Sequence, residues 1–194
     1  MNNVKVNGNT YNGIERIRLT SADGGTVDFV EASAYDGILG AGNYEIYDTI
    51  TTNIVYCAFT KGSFTANFPN AVSVSAQAFM NSAATEIRLP NVETIGATTF
   101  SNSSKLSKCV LSDKLSSIPK EVFYGTKSLV TIVLPYNGVV SLTNTGIFTN
   151  SAVASGTGYV YVPSAQVEAY KTDANWSTYA NQIRAIEDYP NETA

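Results

Sequence analysis

Hydrophobic residues recur along this chain in rows that share one period of a little over 20 residues. Phenylalanine returns at intervals of 20, 21, 23 and 25 residues, and an aliphatic residue stands five positions before each of the first four. A second apolar row has intervals of 21, 22 and 23 residues. The rows are Phe59, Phe79, Phe100, Phe123 and Phe148; Ile54, Val74, Ile95 and Ile118; and Phe68, Leu89, Leu111 and Leu134. Interleaved rows with one period predict a solenoid, in which each repeat buries its apolar face against neighbouring repeats.

Each predicted repeat of the region 43–150 begins with a short strand and ends in a polar turn. The strand pattern L-x-x-L-x-L is clearest in LSKCVL (106–111) and LVTIVL (129–134). In the first of these, strand alternation would direct Leu106, Cys109 and Leu111 inward. The same alternation would direct Lys108 and Val110 outward. Turns are predicted just after the phenylalanines, at Asn81, Asn102, Gly125 and Asn150.

Stacking these strands in register would align their outward residues in two rows across the sheet. One row holds Thr65, Glu86, Lys108 and Thr131, and the other holds Asn67, Arg88, Val110 and Val133. Neighbours in a row would lie about 4.8 Å apart, so Glu86 and Lys108 could form an ion pair across strands. We interpret the two rows as a candidate binding face, because Val110 and Val133 would be apolar and exposed there. The alternative interpretation is that these residues only decorate an exposed sheet.

Residues 1–42 are predicted to form a separate β module. Asn7-Gly8 stands between two short alternating segments, which is a strong signal for a hairpin turn. A second turn is predicted at residues 23–25, between IERIRL and TVDFV. Asp23 and Asp28 could contact a cation at this turn, but the spacing of a calcium loop is absent, so a plain turn is the better interpretation.

Residues 151–194 are predicted to form a cap with one strand and two helical stretches. YVYVP (159–163) alternates and ends at a proline, as strands often do. Ser164 is expected to cap a helix over SAQVEAYK. The second helical stretch is expected after Asn175, with its apolar residues on one face: Trp176, Tyr179, Ile183 and Ile186. Such a cap would cover the apolar face that the last repeat otherwise exposes.

The central sequence resembles a known repeat family. The stretch LPNVETIGATTFSNSSKLSKCVLSDKLSSIPKEVFYGTKSLVTIVLP resembles BspA-like leucine-rich repeats, and the tail pattern YVP…Y…W…I resembles the ends of such arrays. The family lacks the asparagine ladder of ordinary leucine-rich repeats, and the corresponding positions here are Val92, Lys114 and Asn137. The resemblance implies a mainly β fold with short helices: a right-handed solenoid with a short parallel sheet. Members of the family are often surface or adhesive proteins.

The beginning of the chain carries a second resemblance. VNGNTYNGIERIRLTSADGGTVDF is similar to short N-terminal modules of bacteriophage tail or other virion proteins. This resemblance implies that residues 1–42 dock to other virion proteins.

The composition argues against catalysis. The chain has no histidine, which removes the Ser-His and Cys-His nucleophile pairs and the commonest metal ligand. The carboxylates are scattered, without a pair whose surroundings would separate two pKa values. GILGAG lacks the third glycine of a phosphate-binding loop. We therefore expect no enzyme activity, no cofactor and no metal site.

Charge and cysteine usage indicate no special partner. The net charge of −4 is too small to indicate nucleic-acid or membrane binding, and no apolar run of about 18 residues predicts membrane insertion. Cys109 shares a row with Ile87 and Ile132, so we predict a buried small hydrophobe, and nothing pairs it with Cys57. Five lysines crowd into two repeats: Lys105, Lys108, Lys114, Lys120 and Lys127. They could form an anion-binding patch for acidic glycans, but a solvated face is the favoured interpretation.

The sequence therefore predicts a non-enzymatic structural and binding protein. The sharper expectation is a bacteriophage virion component whose repeat sheet binds a host surface protein or glycan. The start MNNVKVNGNT shows no secretory signal, in line with this expectation. The alternative is a bacterial cell-surface or secreted adhesin that binds host protein or glycan. The sequence allows a homo-oligomer, although it contains no coiled-coil heptad repeat that would indicate one.

Overall fold

The computed structural model of the chain describes residues 53–54, 63–144 and 146–194 in full, and the backbone of five strands between residues 3 and 47. Over these residues the chain winds as a solenoid. Most coils contribute one strand to a long sheet and a two-residue strand to a shorter sheet. Phe59, Cys57 and the turn at residues 23–25 lie outside the described residues.

Short strands account for most of the regular structure. In chain order they are β1 (Asn3–Val6), β2 (Asn9–Asn12), β3 (Ile17–Thr20), β4 (Thr26–Phe29), β5 (Asn43–Tyr47), β6 (Asn53–Ile54), β7 (Ser63–Asn67), β8 (Ser73–Val74), β9 (Ala83–Arg88), β10 (Thr94–Ile95), β11 (Lys108–Val110), β12 (Ser117–Ile118), β13 (Thr131–Val133), β14 (Ser141–Leu142), β15 (Tyr159–Val162) and β16 (Ile183–Ala185). Among the described residues, the helices follow β15 and are also short. They are α1 (Val167–Thr172), α2 (Pro190–Thr193) and three 3-10 segments, Ser164–Gln166, Ser177–Gln182 and Ile186–Asp188.

The long sheet runs through the whole described array, in the order β16-β15-β13-β11-β9-β7-β5-β1-β2. Neighbours from β5 to β16 are parallel, as expected when each coil returns the chain to the same side. The two-residue strands form separate parallel ladders, β6-β8-β10 and β12-β14. This architecture confirms the predicted fold class, mainly β with short helices and a parallel sheet.

The antiparallel strand pairing predicted around Asn7-Gly8 is confirmed, because β1 and β2 pair with Val6 opposite Asn9. Asn7 and Gly8 themselves lie outside the described residues. β1 also pairs antiparallel with β5, so the hairpin extends the repeat sheet across the predicted module boundary at residue 42. β3 and β4 form a separate antiparallel pair.

The predicted phenylalanine row is a continuous column in the core. Phe79, Phe100, Phe123 and Phe148 are fully buried. Successive ring centroids in this order are 5.5, 5.5 and 5.6 Å apart, and the rings are within 22° of parallel. These separations are typical of offset stacking, which adds about 0.5–1.5 kcal/mol per pair to the burial of the rings.

The other two apolar rows are also confirmed. Their described members are at most 8% exposed: Ile54, Val74, Ile95 and Ile118 in one row, Phe68, Leu89, Leu111 and Leu134 in the other. Leu142 continues the aliphatic row beside Ile118, one position earlier than the spacing from Phe148 predicts. The three apolar rows therefore line the interior of each coil, and successive coils stack in register.

The four predicted turn positions have a left-handed backbone, and a second group of residues has the same backbone conformation without having been predicted. Asn81, Asn102, Gly125 and Asn150 have φ between 57° and 69°, the left-handed region that asparagine and glycine tolerate best. Gln77, Thr98 and Glu121 have φ of 56–59° as well. This geometry lets main-chain N–H groups donate to the next coil: those of Phe79, Phe100 and Phe123 reach carbonyls of Thr99, Val122 and Ile147 at 2.9–3.1 Å.

A row of buried hydroxyl groups runs beside the phenylalanine column. It consists of Ser82, Ser103, Thr126 and Ser151, each at most 5% exposed and three residues after a phenylalanine. Ser103 Oγ donates to the Phe79 carbonyl at 2.5 Å and lies 3.2 Å from Ser82 Oγ. The first of these bonds pairs a buried main-chain carbonyl inside the turn, and the second links the hydroxyl groups of neighbouring coils.

The cap packs on the last repeat through Tyr170 and Trp176. Both are fully buried, and the Trp176 ring lies 5.6 Å from Phe148, at the end of the phenylalanine column. The Val140 N–H donates to the Tyr170 hydroxyl at 3.0 Å, and Trp176 Nε1 donates to the Val140 carbonyl at 2.6 Å. Burial raises the pKa of Tyr170 to about 12.

Two details of the predicted cap are wrong. Ser164 makes no side-chain capping bond; its N–H donates to the Glu187 carboxylate at 2.9 Å, and a 3-10 turn precedes α1. Ile183 belongs to a strand, since β16 pairs with β15. The physical reason is that β15 would otherwise be an open sheet edge with unpaired main-chain groups, which β16 satisfies.

Candidate functional site: the sheet face

The predicted alignment of outward residues is confirmed by the strand register. Thr65 pairs with Glu86, which pairs with Lys108, which pairs with Thr131. The second row continues in the same way through Asn67, Arg88, Val110 and Val133. A bulge between β7 and β9 places one extra residue, Thr85, in β9 and keeps both rows in line. We call this surface the sheet face.

The charged centre of the sheet face differs from the prediction. Arg88 Nε donates to Glu86 Oε1 at 2.6 Å, because residues two apart on one strand share a face. The predicted ion pair between Glu86 and Lys108 is therefore wrong: Lys108 Nζ donates instead to the main-chain oxygen of Ala194. Burial, followed by the charge of Arg88, lowers the pKa of Lys108, and Glu86 and Glu192 oppose this shift.

The apolar part of the sheet face is covered, which corrects the expectation that it is open. Val133 is 4% exposed and Thr131 is 8% exposed, whereas Val110 is half-buried. The cover is α2, which lies against β13. Val133 thus packs within the molecule, and sequence alternation alone could not show this because the covering residues lie more than 50 positions away.

Residues 189–194 form the cover, and we call them the covering segment. The Tyr189 ring packs edge-on against Tyr161, with centroids 5.5 Å apart. At the other end the Ala194 oxygen accepts hydrogen bonds from Lys108 and from Arg88 Nη2, the latter at 2.5 Å. The segment thereby spans the sheet face from β15 to β9.

Sequence reasoning missed the aromatic end of the sheet face. Tyr159 pairs with Thr131, Tyr161 pairs with Val133, and Arg184 pairs with Tyr161, so both rows continue into the cap. The Arg184 guanidinium lies 4.5 Å from the centre of the Tyr159 ring, a cation–π contact. The signal that could have found these residues is the alternation of YVYV, which places both tyrosines on one side of a strand.

The other candidate residues do not converge on a site. Cys109 is fully buried and burial raises the pKa of its thiol, which confirms a packing role. Lys114 donates to Asn91, and Lys120 lies 3.8 Å from Glu121, each at a different position of the coil from Lys108. Among the described residues there is no cluster of cysteine and carboxylate ligands for a metal ion.

A shallow, open depression lies at the turns, away from the sheet face. Its volume is about 390 Å³, and it is lined by Lys127, Asn150, Ser151, Ala154 and Ser155. Apart from one lysine the lining offers only small and uncharged side chains. It therefore lacks the combination of apolar enclosure and converging polar groups that a small-molecule site requires.

The repeats identify the family of the chain. Residues 30–164 match six copies of the BspA type leucine rich repeat region, more than half of the sequence. The chain belongs to the BspA-type leucine-rich-repeat family. This confirms the resemblance carried by residues 89–135. BspA-type repeats indicate a protein-binding or structural role.

Two further observations concern curated relatives and the length of the helices. A comparison with curated proteins gives no significant match. In the part of the chain that the structure describes, every helix is too short to cross a lipid bilayer. The sheet face of this BspA-type solenoid thus carries cations and tyrosine rings in two rows.

Proposed function

We propose that this BspA-type chain is a non-enzymatic structural and binding protein that recognises a protein partner on its sheet face. The observation that carries the proposal is a run of three cations and two tyrosine rings along two rows in register: Arg88, Lys108, Arg184, Tyr159 and Tyr161. Arginine and tyrosine are the residues that contribute most to protein–protein interfaces. A parallel sheet in register also holds such side chains at fixed spacings, which reduces the entropy lost on binding.

The finer proposal is a bacteriophage virion component, in the tail, baseplate or another exposed part. Its support is the similarity of residues 6–29 to virion modules. In this proposal residues 1–42 dock to other virion proteins, and the sheet face contacts a protein or glycan of the host surface. The β1–β2 hairpin joins the repeat sheet at β5, so a docked N-terminal region would hold the solenoid in a fixed orientation.

Mass spectrometry of purified virus particles tests the location. The chain is expected among the particle proteins at a copy number comparable to tail or baseplate components. Its absence from particles, with presence in the surface-labelled fraction of bacterial cells, would instead support the second candidate. That candidate is a cell-surface or secreted adhesin, and membership of the BspA-type family is the observation that favours it.

Charge reversal tests the binding face. The double variant Arg88→Glu and Lys108→Glu should lose binding of the purified, fluorescently labelled chain to intact host cells. The matched control is Lys114→Glu and Lys120→Glu, two exposed lysines at other positions of the coil, which should bind as the unaltered chain does. Equal binding by both double variants would contradict the proposal.

A further inference from the structure

The covering segment occupies the sheet face in the way a bound peptide would. It places an aromatic ring on β15 and a main-chain oxygen on β9 and β11, so its two contacts with the face are five residues apart in sequence. Between them α2 lies against β13. The residues between the two contacts, from Pro190 to Thr193, are exposed or half-buried, so the segment holds the face mainly by its ends.

The charges of the two surfaces are complementary. Among its described side chains the sheet face has three cations, Arg88, Lys108 and Arg184, and one carboxylate, Glu86, which is already paired with Arg88. The covering segment brings Glu192, whose charge acts on both Lys108 and Tyr161. An acidic segment is therefore favoured on this face over a neutral or basic one.

The covering segment also makes an aromatic contact with the sheet face, at Tyr161. Tyr161 is 4% exposed and contacts rings on two sides: Tyr159 at 6.5 Å and Tyr189 at 5.5 Å. With the Tyr189 ring moved away, Tyr161 and Val133 would form an apolar patch beside three cations. Such a patch fits an aromatic side chain carried by an acidic peptide.

We propose that the sheet face is a binding site for an acidic peptide segment of a partner protein, and that the covering segment is its built-in competitor. The partner would place an aromatic ring on Tyr161 and Val133 and, about five residues later, an acceptor oxygen between Arg88 and Lys108. This inference rests on the proposed function, since it concerns the same face. It adds the class of ligand and a mechanism by which binding is restrained.

The covering segment restrains partner binding because its release from the sheet face and the binding of the partner peptide are linked equilibria. A segment held in the same chain acts at a high effective concentration, so a free peptide competes poorly until the segment is displaced. Weakening the segment should then raise the apparent affinity by the factor by which the open state becomes more populated.

Fluorescence anisotropy with a synthetic probe tests the inference in the full-length chain. The probe is the fluorescein-labelled peptide DYPNETA, the sequence of residues 188–194, as free acid and as amide. The released variant carries Tyr189→Ser and Pro190→Gly, which remove the ring contact and the start of α2. It should bind the probe at least about tenfold more tightly than the unaltered chain. A probe with serine in place of tyrosine should bind about tenfold more weakly.

Charge variants of the released chain locate the site. Adding Arg88→Glu and Lys108→Glu should abolish probe binding, whereas adding Lys114→Glu and Lys120→Glu should leave it within about twofold. Thermal unfolding of each variant by circular dichroism checks that all are folded. Equal probe binding by the released and unaltered chains, or by the two charge variants, would overturn the inference.

The remaining outcomes separate this inference from the proposed function. Absence of probe binding, together with loss of host-cell binding on charge reversal, would overturn the peptide site and leave the binding face standing. A dimer of the unaltered chain that exchanges covering segments, seen by light scattering, would assign the face to a second copy and also overturn the inference.

Discussion

At the scale of single residues, the backbone conformation of the turns is the feature that the sequence predicts least well. Asparagine and glycine signal left-handed turns, and Asn81, Asn102, Gly125 and Asn150 adopt them. Gln77, Thr98 and Glu121 adopt the same conformation without any such signal. Their geometry follows from stacking, because the N–H of Thr98 must point at the carbonyl of Lys120 in the next coil, at 3.0 Å. A single repeat read alone could not show this.

Thr98 offers a direct test of turn strain. A β-branched residue in the left-handed region is strained by about 1–3 kcal/mol, and glycine relieves that strain at the expense of backbone entropy. Thr98→Gly should therefore raise the free energy of unfolding by about 0.5–1 kcal/mol, measured by chemical denaturation. The control is Thr94→Gly in β10, an exposed extended position, which should lower it by about 0.5–1 kcal/mol. Destabilisation by both changes would contradict the strain argument.

A close approach of main chains explains one glycine. A Cβ atom on Gly96 would lie 2.1 Å from the Ala76 main-chain nitrogen, so no side chain fits there. Gly96 follows the aliphatic row, and its N–H donates to the Val74 carbonyl at 2.7 Å. The period of the apolar rows predicts where coils touch, but only the coordinates show how closely the main chains approach.

At the scale of elements, the strands and turns of the repeats were predictable, whereas the cap was predictable only in outline. Tyr159–Val162 is a strand, as its alternation predicts, and Trp176 and Tyr170 are buried apolar anchors. The spacing of Ile183 from Tyr179 is helical and predicts a helix. Ile183 forms a strand because β15 offers a sheet edge, a feature of the assembled sheet that a local window of sequence does not contain.

The cap also predicts a specific response to alkaline pH. An ordinary tyrosine has a pKa of about 10, and burial raises the pKa of Tyr170 to about 12. Because the folded pKa is the higher one, the stabilising contribution is complete below pH 10 and is lost as the pH rises towards 12. The free energy of unfolding should fall by about 2–3 kcal/mol across this window through Tyr170 alone.

The variant Tyr170→Phe isolates this contribution. It should be about 1–3 kcal/mol less stable at pH 8, because the Val140 N–H loses its acceptor, and its stability should fall less steeply between pH 10 and 12. Thermal unfolding at several pH values measures both effects. The control is Val130→Ala, at an exposed side chain that does not ionise, which should keep the slope of the unaltered chain. Parallel pH curves for Tyr170→Phe and the unaltered chain would refute the assignment.

At the scale of the whole molecule, the sequence rows predict the interior better than the surface. Apolar rows report burial directly, so Phe79, Phe100 and Phe123 were placed correctly from their period. The sequence predicts which residues align on the sheet face, but it does not predict which of them are exposed. Val133 is covered by a segment that is distant in sequence. What a sheet face displays depends on how the rest of the chain folds back, and strand alternation does not encode this.

The phenylalanine column makes a last prediction about how the solenoid unfolds. Each coil contacts only its neighbours, so stability is shared through interfaces instead of one central core. Phe100 stacks on Phe79 and Phe123 at 5.5 Å, and Phe100→Ala should cost about 3–5 kcal/mol. Phe100→Leu is the milder variant, should the first fail to fold. Val130→Ala, at a side chain that is 45% exposed, is the control and should change stability by less than about 0.5 kcal/mol.

Hydrogen exchange shows whether the column couples the coils. If it does, Phe100→Leu should lower amide protection in the turns around Phe79 and Phe123 as well as in its own coil. The N–H groups of Phe79 and Phe100 donate to carbonyls of the next coil, so a loosened ring also weakens these bonds. Loss of protection confined to residues 91–106 would show that the coils are independent. In that case the stacked rings would fill space without transmitting stability along the array.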